Sequence, residues 1–493
     1  MSQSKNLFLV GGAKLLGLAV QFFTIRLFFD ILGKTGFGVC SALVNLQRFV
    51  LLADLGLPES TNRQMAAAWA SGDDQQGLRV WNTHKRIALV AGSLMVVIYG
   101  LLSLFYPLHQ VELGTSRKVL LFLLAGIYTA LTYGIYTYGS WFSSRRQFGP
   151  VATAALWMSV GGATLSAGLV WWLRSQEAYF IGFSTGAALG LLSLYRRRRQ
   201  ELSSRSTPSF DPDVFKEAKR FGIRALANKL SGAIGNGADR IIIHQQLGEG
   251  AIGVYNVSAR APEAAADALP LYQIISPELV GAHAKGPEQF SRAIDSSLRT
   301  ALLVGICGIL VPCAFGFGFL PYLLGRSFDA TLPWVMAGIG AYRMFETLYS
   351  AVAVIIYANG NPEKIIPFTL WNGFATLFLS LPAVTWRGLE GIVIMNLGIM
   401  VLQFVPLLRM TLRTCAPDLP RRALLTTFAL MIGVGTGIGL GAFEFARYAY
   451  GQGIGWVSLL TAPLFSGLTL LVLVKTKLAK APEFLARRVP FLR

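Results

Sequence analysis

Five arginines lie inside long apolar stretches of the sequence: Arg26, Arg48, Arg240, Arg260 and Arg343. A basic residue at the centre of a membrane span costs about 2.5–3.5 kcal/mol on insertion scales, whereas a whole protein is stable by only about 5–15 kcal/mol. These side chains therefore cannot all face lipid without a partner. Because a guanidinium binds phosphate oxygens and stays charged in a poorly hydrated site, we expect either ion pairs or a cationic cavity for an anionic head group.

Helical spacing tests the first alternative, since residues three or four positions apart share a face of a helix. The pairs at this spacing are Arg26–Asp30, Arg260–Glu263 and Arg343–Glu346. Arg48 has no acidic residue within four positions, and Arg240 has only its neighbour Asp239, which would point elsewhere on the helix. The spacing thus predicts ion pairs for three arginines and leaves two unexplained. Asp239 and Glu346 are also candidate proton or sodium sites, with a salt-bridge role as an equal alternative.

No motif predicts catalysis or a metal centre. The sequence has no nucleotide-binding glycine loop, paired-carboxylate motif or metal-ligand cluster. The cysteines lack metal-binding spacing and do not suggest a disulfide framework; they are Cys40, Cys307, Cys313 and Cys415. The histidines occur singly near the ends of apolar runs, where an interfacial role is expected; they are His84, His109, His244 and His283. We therefore predict no catalytic residue, no metal and no cofactor.

The elements that must position the arginines are membrane-spanning helices. Of 493 residues, 53% are hydrophobic and only 14% are charged, whereas soluble domains carry roughly 25% charged residues. Apolar runs of about 20 residues, each long enough to cross a bilayer, recur along the chain. They lie near 7–31, 37–59, 87–107, 118–142, 150–173, 178–195, 222–246, 251–275, 300–322, 332–357, 364–384, 388–409, 423–443 and 454–474. This predicts an all-α polytopic membrane protein with about 14 transmembrane helices.

The basic residues predict the orientation. With a cytoplasmic N-terminus, 28 of the 44 lysines and arginines fall on the cytoplasmic side, seven on the opposite side and nine inside the spans. This asymmetry is the one that the positive-inside rule expects, so the net charge of +19 reflects topology rather than nucleic-acid binding. We therefore expect a multi-pass protein of the cell's inner (cytoplasmic) membrane, with both termini cytoplasmic. The run Arg196–Arg199 is interpreted as a stop-transfer anchor that touches anionic lipid.

The longest polar break follows that run and predicts a boundary between two lobes. The predicted parts are a six-helix lobe at 1–200, a cytoplasmic linker at 201–215, a second six-helix lobe at 216–415, and an extra helix pair with a basic tail at 416–493. The extra pair carries Gly433, Gly435, Gly437, Gly439 and Gly441, whose spacing allows close helix contact. We expect docking on the core, with a dimer contact or a bend as alternatives.

An internal repeat supports the division into lobes. A shift of 215 residues aligns 14–39 with 229–254, and seven positions coincide. They are Lys14/Lys229, Leu15/Leu230, Gly17/Gly232, Leu32/Leu247, Gly33/Gly248, Gly38/Gly253 and Val39/Val254. Since six spans separate the copies, both enter the membrane from the same side, which predicts parallel, pseudo-symmetric repeats with a cavity between them.

Several stretches resemble the polysaccharide-transporter flippases of the multidrug/oligosaccharidyl-lipid/polysaccharide exporter superfamily. They are Leu32–Gly38, Asp54–Leu57, Gly237–Ile243, Leu247–Asn256 and Ala358–Pro362, and their order along the chain matches that family. The resemblance implies transport of an undecaprenyl-diphosphate-linked glycan from the inner to the outer leaflet by alternating access, without ATP hydrolysis. By position it implies a diphosphate-binding role for Arg48 and Arg260 and, by a looser correspondence, for Arg26 and Arg240. It also implies membrane lipids and glycan polymerase or ligase machinery as partners, and coupling to protons or sodium.

Two alternative functions fit the sequence less well. A multi-span glycan polymerase or glycosyltransferase would need catalytic groups in a substantial outer loop, and the predicted outer loops are short. A multidrug exporter of the same superfamily would need an acidic cavity for cationic drugs, whereas the intramembrane charges here are mainly arginines.

Overall fold

The fold is all-helical in the part of the chain that the computed structural model describes. The described residues are 3–54, 61, 64–65, 68–69, 71–108, 110, 113–145, 147–201, 210–235, 237–268, 275, 279, 282–283, 286–417 and 421–475. They form thirteen helices and no β-strand. The predicted linker falls largely on 202–209 and the basic tail on 476–493, and both segments lie outside the described residues.

The chain forms two compact units, Met1–Gly253 and Val254–Arg493. The first contains α1 (Gln3–Val50), α2 (Asp74–Phe105), α3 (Thr115–Ser143), α4 (Phe148–Leu173, with a π-helical turn at Trp157–Gly161), α5 (Gln176–Glu201), α6 (Pro212–Gly235) and the first part of α7 (Ala238–Ala268). The second contains the rest of α7, then α8 (Pro287–Cys313, with a π-helical turn at Ile306–Leu310), α9 (Gly316–Leu324), α10 (Leu332–Ala358), α11 (Ile366–Cys415), α12 (Arg421–Gly451) and α13 (Gly455–Lys475). Short 3-10 turns occur at Leu51–Asp54, Gly325–Ser327 and Pro362–Ile365. The lobe bounds expected from the sequence stay a prediction.

Local sequence explains several helix starts. Asp73 precedes α2 and its Oδ1 accepts a hydrogen bond from the Gln76 N–H at 2.8 Å, which satisfies one of the free amides at a helix N-terminus. Helix α8 begins with Pro287 directly after Gly286, and proline suits the first helical position because it lacks the unsatisfied N–H. Within each helix the apolar runs can be buried in lipid because the backbone bonds to itself.

Ten helices among the described residues are long and apolar enough to cross a membrane. Helix α1, with 48 residues, and the span Glu363–Cys415, with 53 residues, are each long enough for two crossings. They bend at Gly33 and at Arg387–Gly388, which are the turns expected between the first and second and between the eleventh and twelfth spans. The prediction of an all-α polytopic membrane protein is confirmed.

The matched glycines of the repeat share an unusual backbone. Gly33 in α1 has φ 70° and ψ 172°, and Gly248 in α7 has φ 82° and ψ −177°. A positive φ is readily available only to glycine, so both copies have the same residue for the same turn. Another matched pair, Lys14 and Lys229, has side chains outside the described set.

A second pair of matched glycines allows two backbones to touch. A Cβ at Gly38 would collide with the backbone carbonyl of Glu249. A Cβ at Gly253 would lie 2.9 Å from the Lys34 carbonyl oxygen and 3.2 Å from the Gly38 Cα. The turn in α1 and the turn in α7 therefore pack closely because both helices have glycine at the crossing.

The last two helices dock on the core of the second unit, and one glycine of the predicted pattern lies at a contact. A Cβ at Gly435 would collide with the Ile306 side chain of α8. Leu424, Phe428 and Met431 of α12 are buried in the main hydrophobic cluster of that unit. A Cβ at any of the other four glycines of the pattern would meet open space, so Gly435 and the apolar side chains, rather than the whole glycine pattern, hold α12 against the bundle.

Replacing Gly38 by alanine is expected to lower the thermal stability of the protein in detergent, because the clash is with a backbone atom that cannot rotate away. Gly398→Ala in α11 is the matched control, since a Cβ there meets open space. Alanine favours a helix interior over glycine by about 1 kcal/mol, so the control should unfold at the same temperature or slightly higher. Equal melting temperatures for the two variants would contradict this account of the crossing.

Candidate functional site

The seventh predicted span is a broken helix. Its apolar run predicts one continuous helix over 222–246, but α6 ends at Gly235 and α7 begins at Ala238. The N–H of Ile241 bonds to the Gly237 carbonyl at 3.2 Å, so Gly237 lies at the start of the new helix. The Gly235-Asn236-Gly237 triplet was the available signal, because short glycine-interrupted spans mark binding sites in transporters.

The break lies against the end of α1. A Cβ at Gly237 would stand 2.9 Å from a ring atom of Phe49, the residue after Arg48. Arg48 is half-buried in the last turn of α1. We call the set Asn45, Arg48, Gly237, Asp239 and Arg240 the helix-break site.

Two charged residues are buried at this site. Arg240 is 7% exposed, and its Nη1 donates a hydrogen bond to Asn45 Oδ1 at 3.2 Å. Asp239 is 5% exposed, and its Oδ1 accepts the Arg240 backbone N–H at 2.8 Å. An aspartate in the first turn also interacts favourably with the helix dipole. The Asn45–Arg240 bond links the two broken or bent elements, α1 and α7, which spacing along one helix could not predict.

The predicted pair of Arg26 and Asp30 is confirmed. Arg26 Nε lies 2.7 Å from Asp30 Oδ2, and the two side chains are 35% and 54% exposed. The positive charge of Arg26 is therefore matched on its own helix by a carboxylate that is itself open to solvent.

A three-residue charge cluster forms in the second unit. Arg343 on α10 lies 2.8 Å from Glu263 Oε1 on α7, and it also contacts Glu346 one turn further along α10. The side chains of Arg343 and Glu263 are only 14% and 15% exposed. We call Glu263, Arg343 and Glu346 the Arg343 triad, and its Arg343–Glu346 pair confirms the prediction.

The predicted pair of Arg260 and Glu263 is wrong. Helical spacing allows that contact, but Glu263 pairs across helices with Arg343 instead. A half-buried carboxylate gains more from a guanidinium that is equally poorly solvated than from one on an exposed face. Arg260 is exposed, and within the described residues it makes no ion pair.

The interfacial role expected for His244 is also wrong. His244 is fully buried, and its Nδ1 lies 3.0 Å from the Tyr106 hydroxyl. Its Nε2 lies 3.5 Å from Oε1 of Glu249, which is fully buried as well. Glu249 Oε2 accepts the Gln110 N–H at 2.9 Å. These contacts join the segment after α2 to the turn at Gly248, and nothing in the spacing of these residues along the sequence indicates them.

The second unit also contains a cavity of about 560 Å³. It is lined by α8, α10, α11 and α12, mainly with apolar side chains such as Val335, Leu397 and Phe443. Glu390 is the one charged residue of the lining. This cavity therefore lacks the cationic character expected of a diphosphate site.

Comparison with known sequences identifies the family. The sequence profile of the family described as polysaccharide biosynthesis protein matches residues 4–265, which is more than half of the chain. The chain belongs to this family. The match spans the first unit and the α7 residues up to the first acidic member of the Arg343 triad.

One curated relative is a protein assigned to O-antigen export in Yersinia pseudotuberculosis. It is 26% identical over 142 residues, which is 27% of this chain and 32% of that protein. The chain thus matches about a third of the length of this relative.

Solved structures share the fold. A structure of the lipid II flippase MurJ in an inward closed conformation matches with a TM-score of 0.71 at 12% identity, covering 95% of this chain and 99% of that one. An inward-facing multidrug resistance MATE transporter of the MOP superfamily matches with a TM-score of 0.58 at 17% identity, covering 85% and 96%. A MOP superfamily transporter from Pyrococcus furiosus matches with a TM-score of 0.52 at 12% identity, covering 83% and 99%.

The solved structures that match are transporters, and at 12–17% identity they show a shared fold. The chain is a multi-pass membrane protein of the polysaccharide biosynthesis protein family, with the helical fold seen in the lipid II flippase MurJ and in MATE transporters. The resemblance inferred from the sequence motifs is confirmed.

Removal of the Arg343 guanidinium is expected to destabilise the protein strongly. Arg343→Leu leaves two poorly solvated carboxylates facing each other, and loss of one partner of a buried pair costs about 3–5 kcal/mol. Arg447→Leu is the matched control, because Arg447 pairs with Glu444 at the same i, i+3 spacing but both side chains are 60% exposed. An exposed pair contributes about 0–1 kcal/mol.

The measurement is the thermal unfolding of each purified variant in the same detergent. The unfolding temperature should fall much further for Arg343→Leu than for Arg447→Leu. Similar shifts would mean that the Arg343 triad is solvated in the membrane protein and contributes no more than a surface pair.

Proposed function

We propose that the protein moves an undecaprenyl-diphosphate-linked oligosaccharide from the inner to the outer leaflet of the inner membrane, with both termini in the cytoplasm. Three findings support this proposal: the family membership, the relative assigned to O-antigen export and the fold shared with a lipid II flippase. Transport proceeds by alternating access. The glycan then passes to polymerase or ligase machinery on the outer face.

The observation that carries the proposal is that Arg260 makes no ion pair among the described residues. Its expected partner Glu263 binds Arg343 instead, and the Arg260 side chain is exposed. An arginine without an ion pair inside an apolar stretch is costly unless water or a ligand reaches it. A diphosphate supplies paired oxygens that the planar guanidinium can bind in a bidentate manner.

The other arginines would contribute in different ways. Arg48 is half-buried beside the helix break and is proposed to bind the diphosphate directly. Arg240 is held by Asn45 and supplies positive potential at the same break, where the start of α7 also favours an anion. Arg26 is already matched by Asp30, so its contribution requires that the carboxylate move to solvent.

We further propose ion coupling at two places. The Arg343 triad holds two carboxylates and one guanidinium, so one negative charge remains when all three groups are ionised. Glu346 can therefore accept a proton or bind a sodium ion while Glu263 keeps the arginine in place. Asp239 is the second candidate, because it is buried next to the break in the seventh span.

Arg260→Ala is expected to abolish leaflet-to-leaflet movement of a labelled polyprenyl-diphosphate sugar in proteoliposomes, and Arg48→Ala should do the same. Each variant removes a guanidinium that is proposed to bind the diphosphate. Arg292→Ala is the control, because Arg292 is exposed and pairs with Glu288 four residues earlier on α8. The control should transport at the rate of the unaltered protein.

Folding is checked by the unfolding temperature, which should match that of the unaltered protein for both variants. Normal transport by Arg260→Ala would overturn its assignment as a diphosphate ligand. Failure of the unaltered protein to move the lipid, combined with transport of a cationic drug, would favour a multidrug exporter.

Glu346→Gln is expected to reduce or remove the dependence of transport on an imposed ion gradient, because glutamine cannot exchange a proton or match a sodium charge. Asp239→Asn tests the second candidate in the same assay. Glu288→Gln, an exposed acid paired with Arg292, is the control. If the gradient dependence of Glu346→Gln and Asp239→Asn equals that of the control, neither carboxylate couples transport to an ion.

A further inference from the structure

Three tryptophans and two arginines form a cluster in the first unit, at the end where α5 finishes. The rings of Trp69 and Trp81 each pack edge-on against Trp141, with centroids 5.4 Å apart in both pairs. The guanidinium carbon of Arg145 lies 4.0 Å from the Trp69 centroid and 4.1 Å from that of Trp141. That of Arg198 lies 4.6 Å from Trp81 and 5.1 Å from Trp141. We call these five residues the Trp–Arg cluster.

Arg198 differs from the rest of its basic run. Arg196, Arg197 and Arg199 are exposed, as a stop-transfer anchor requires, but Arg198 is only 6% exposed. The anchor interpretation therefore does not hold for this residue. A guanidinium stacked between two indole rings is held in a fixed plane by cation–π attraction.

The buried polar atoms of the cluster that lack a partner are all donors. Within the part of the chain that the structure describes, Nε and Nη2 of Arg198 are buried and have no hydrogen-bond partner, and the same is true of Nε1 of Trp81 and Nε1 of Trp69. Neither arginine nor tryptophan can accept a hydrogen bond, so these atoms can be satisfied only by an acceptor. Nε and Nη2 form one edge of the guanidinium, the edge that binds two oxygens of the same oxyanion.

The nearest carboxylate is already engaged elsewhere in the cluster. Glu201 Oε2 accepts from Trp141 Nε1 at 3.2 Å and lies 3.4 Å from Arg145 Nη1. Lys85 adds a further positive charge that repels Arg198. Among the described residues, Arg198 therefore forms no ion pair with a carboxylate.

We propose that the Trp–Arg cluster binds a phosphate group through the Nε–Nη2 edge of Arg198. The predicted topology puts this end of α5 on the cytoplasmic side. The phosphate belongs either to the head group of a membrane lipid or to a soluble phosphate compound, and both offer the same paired oxygens. The site is separate from the arginines assigned to the transported diphosphate, so it does not depend on the proposed function.

The test uses the full-length protein in a neutral detergent. Inorganic phosphate, short-chain phosphatidylglycerol and short-chain diacylglycerol are titrated separately, with tryptophan fluorescence and unfolding temperature as readouts. Diacylglycerol has the acyl chains but no phosphate and should cause no saturable change. A response to phosphatidylglycerol alone identifies a lipid head group, and a response to inorganic phosphate identifies a soluble ligand.

Three variants separate binding from general electrostatics. Arg198→Lys keeps the charge but loses the two-atom edge, so the half-saturating concentration should rise about tenfold, the loss of one strong charge-assisted hydrogen bond. Arg199→Gln removes an exposed charge of the same run and should bind like the unaltered protein. Trp81→Phe keeps the stacked ring but removes one donor, and it should weaken binding even if Arg198→Lys fails to fold.

Binding that is unchanged in Arg198→Lys and Trp81→Phe would overturn the proposal. So would the absence of any saturable response to either phosphate probe, or a loss of binding in Arg199→Gln as large as in Arg198→Lys.

Discussion

A guanidinium in an apolar medium must be met by an acceptor, by aromatic faces or by water, and this requirement explains much of the architecture. Arg343 meets it with two carboxylates from different helices, and Arg240 meets it with an asparagine from α1. Arg198 is stacked on indole rings. Arg260 makes no ion pair in the described structure, and its exposed side chain leaves the guanidinium accessible to water. Since each solution leaves a different chemistry available, the same residue type can stabilise the fold at one position and bind a ligand at another.

Glycine provides the second constraint, because helices that carry charged groups must also come close together. The matched residues Gly33 and Gly248 turn the chain with the same backbone conformation, and Gly38 and Gly253 let the two turns touch. Duplication of the sequence has therefore preserved backbone geometry more clearly than side-chain identity. The break between Gly235 and Ala238 adds a helix start inside a predicted span, where transporters of other folds place their substrates.

The sequence predicted the fold more completely than the ion pairs of the site, and the reason is physical. Apolar runs of bilayer length identify spans because lipid imposes one length on all of them, and the turns at Gly33 and Arg387–Gly388 fell where the runs were interrupted. Pairs on one helix were partly predictable: Arg26–Asp30 and Arg343–Glu346 form. The pair expected for Arg260 does not form, since spacing shows which contacts a helix permits but not which competing partner arrives from another helix.

The amino-acid sequence by itself determined the class of this protein, its helical spans, its repeat and its family resemblance. Hydropathy, glycine positions and motifs can all be identified in short stretches of sequence, without knowledge of the tertiary structure. Only the tertiary structure decided which charges are matched. Tyr106 and His244 are 138 positions apart, Glu263 and Arg343 are 80 positions apart, and Arg198 lies over the rings of Trp81 and Trp141 from two other helices. Electrostatic energy depends on distance and solvation in space, and neither can be read from separation along the sequence.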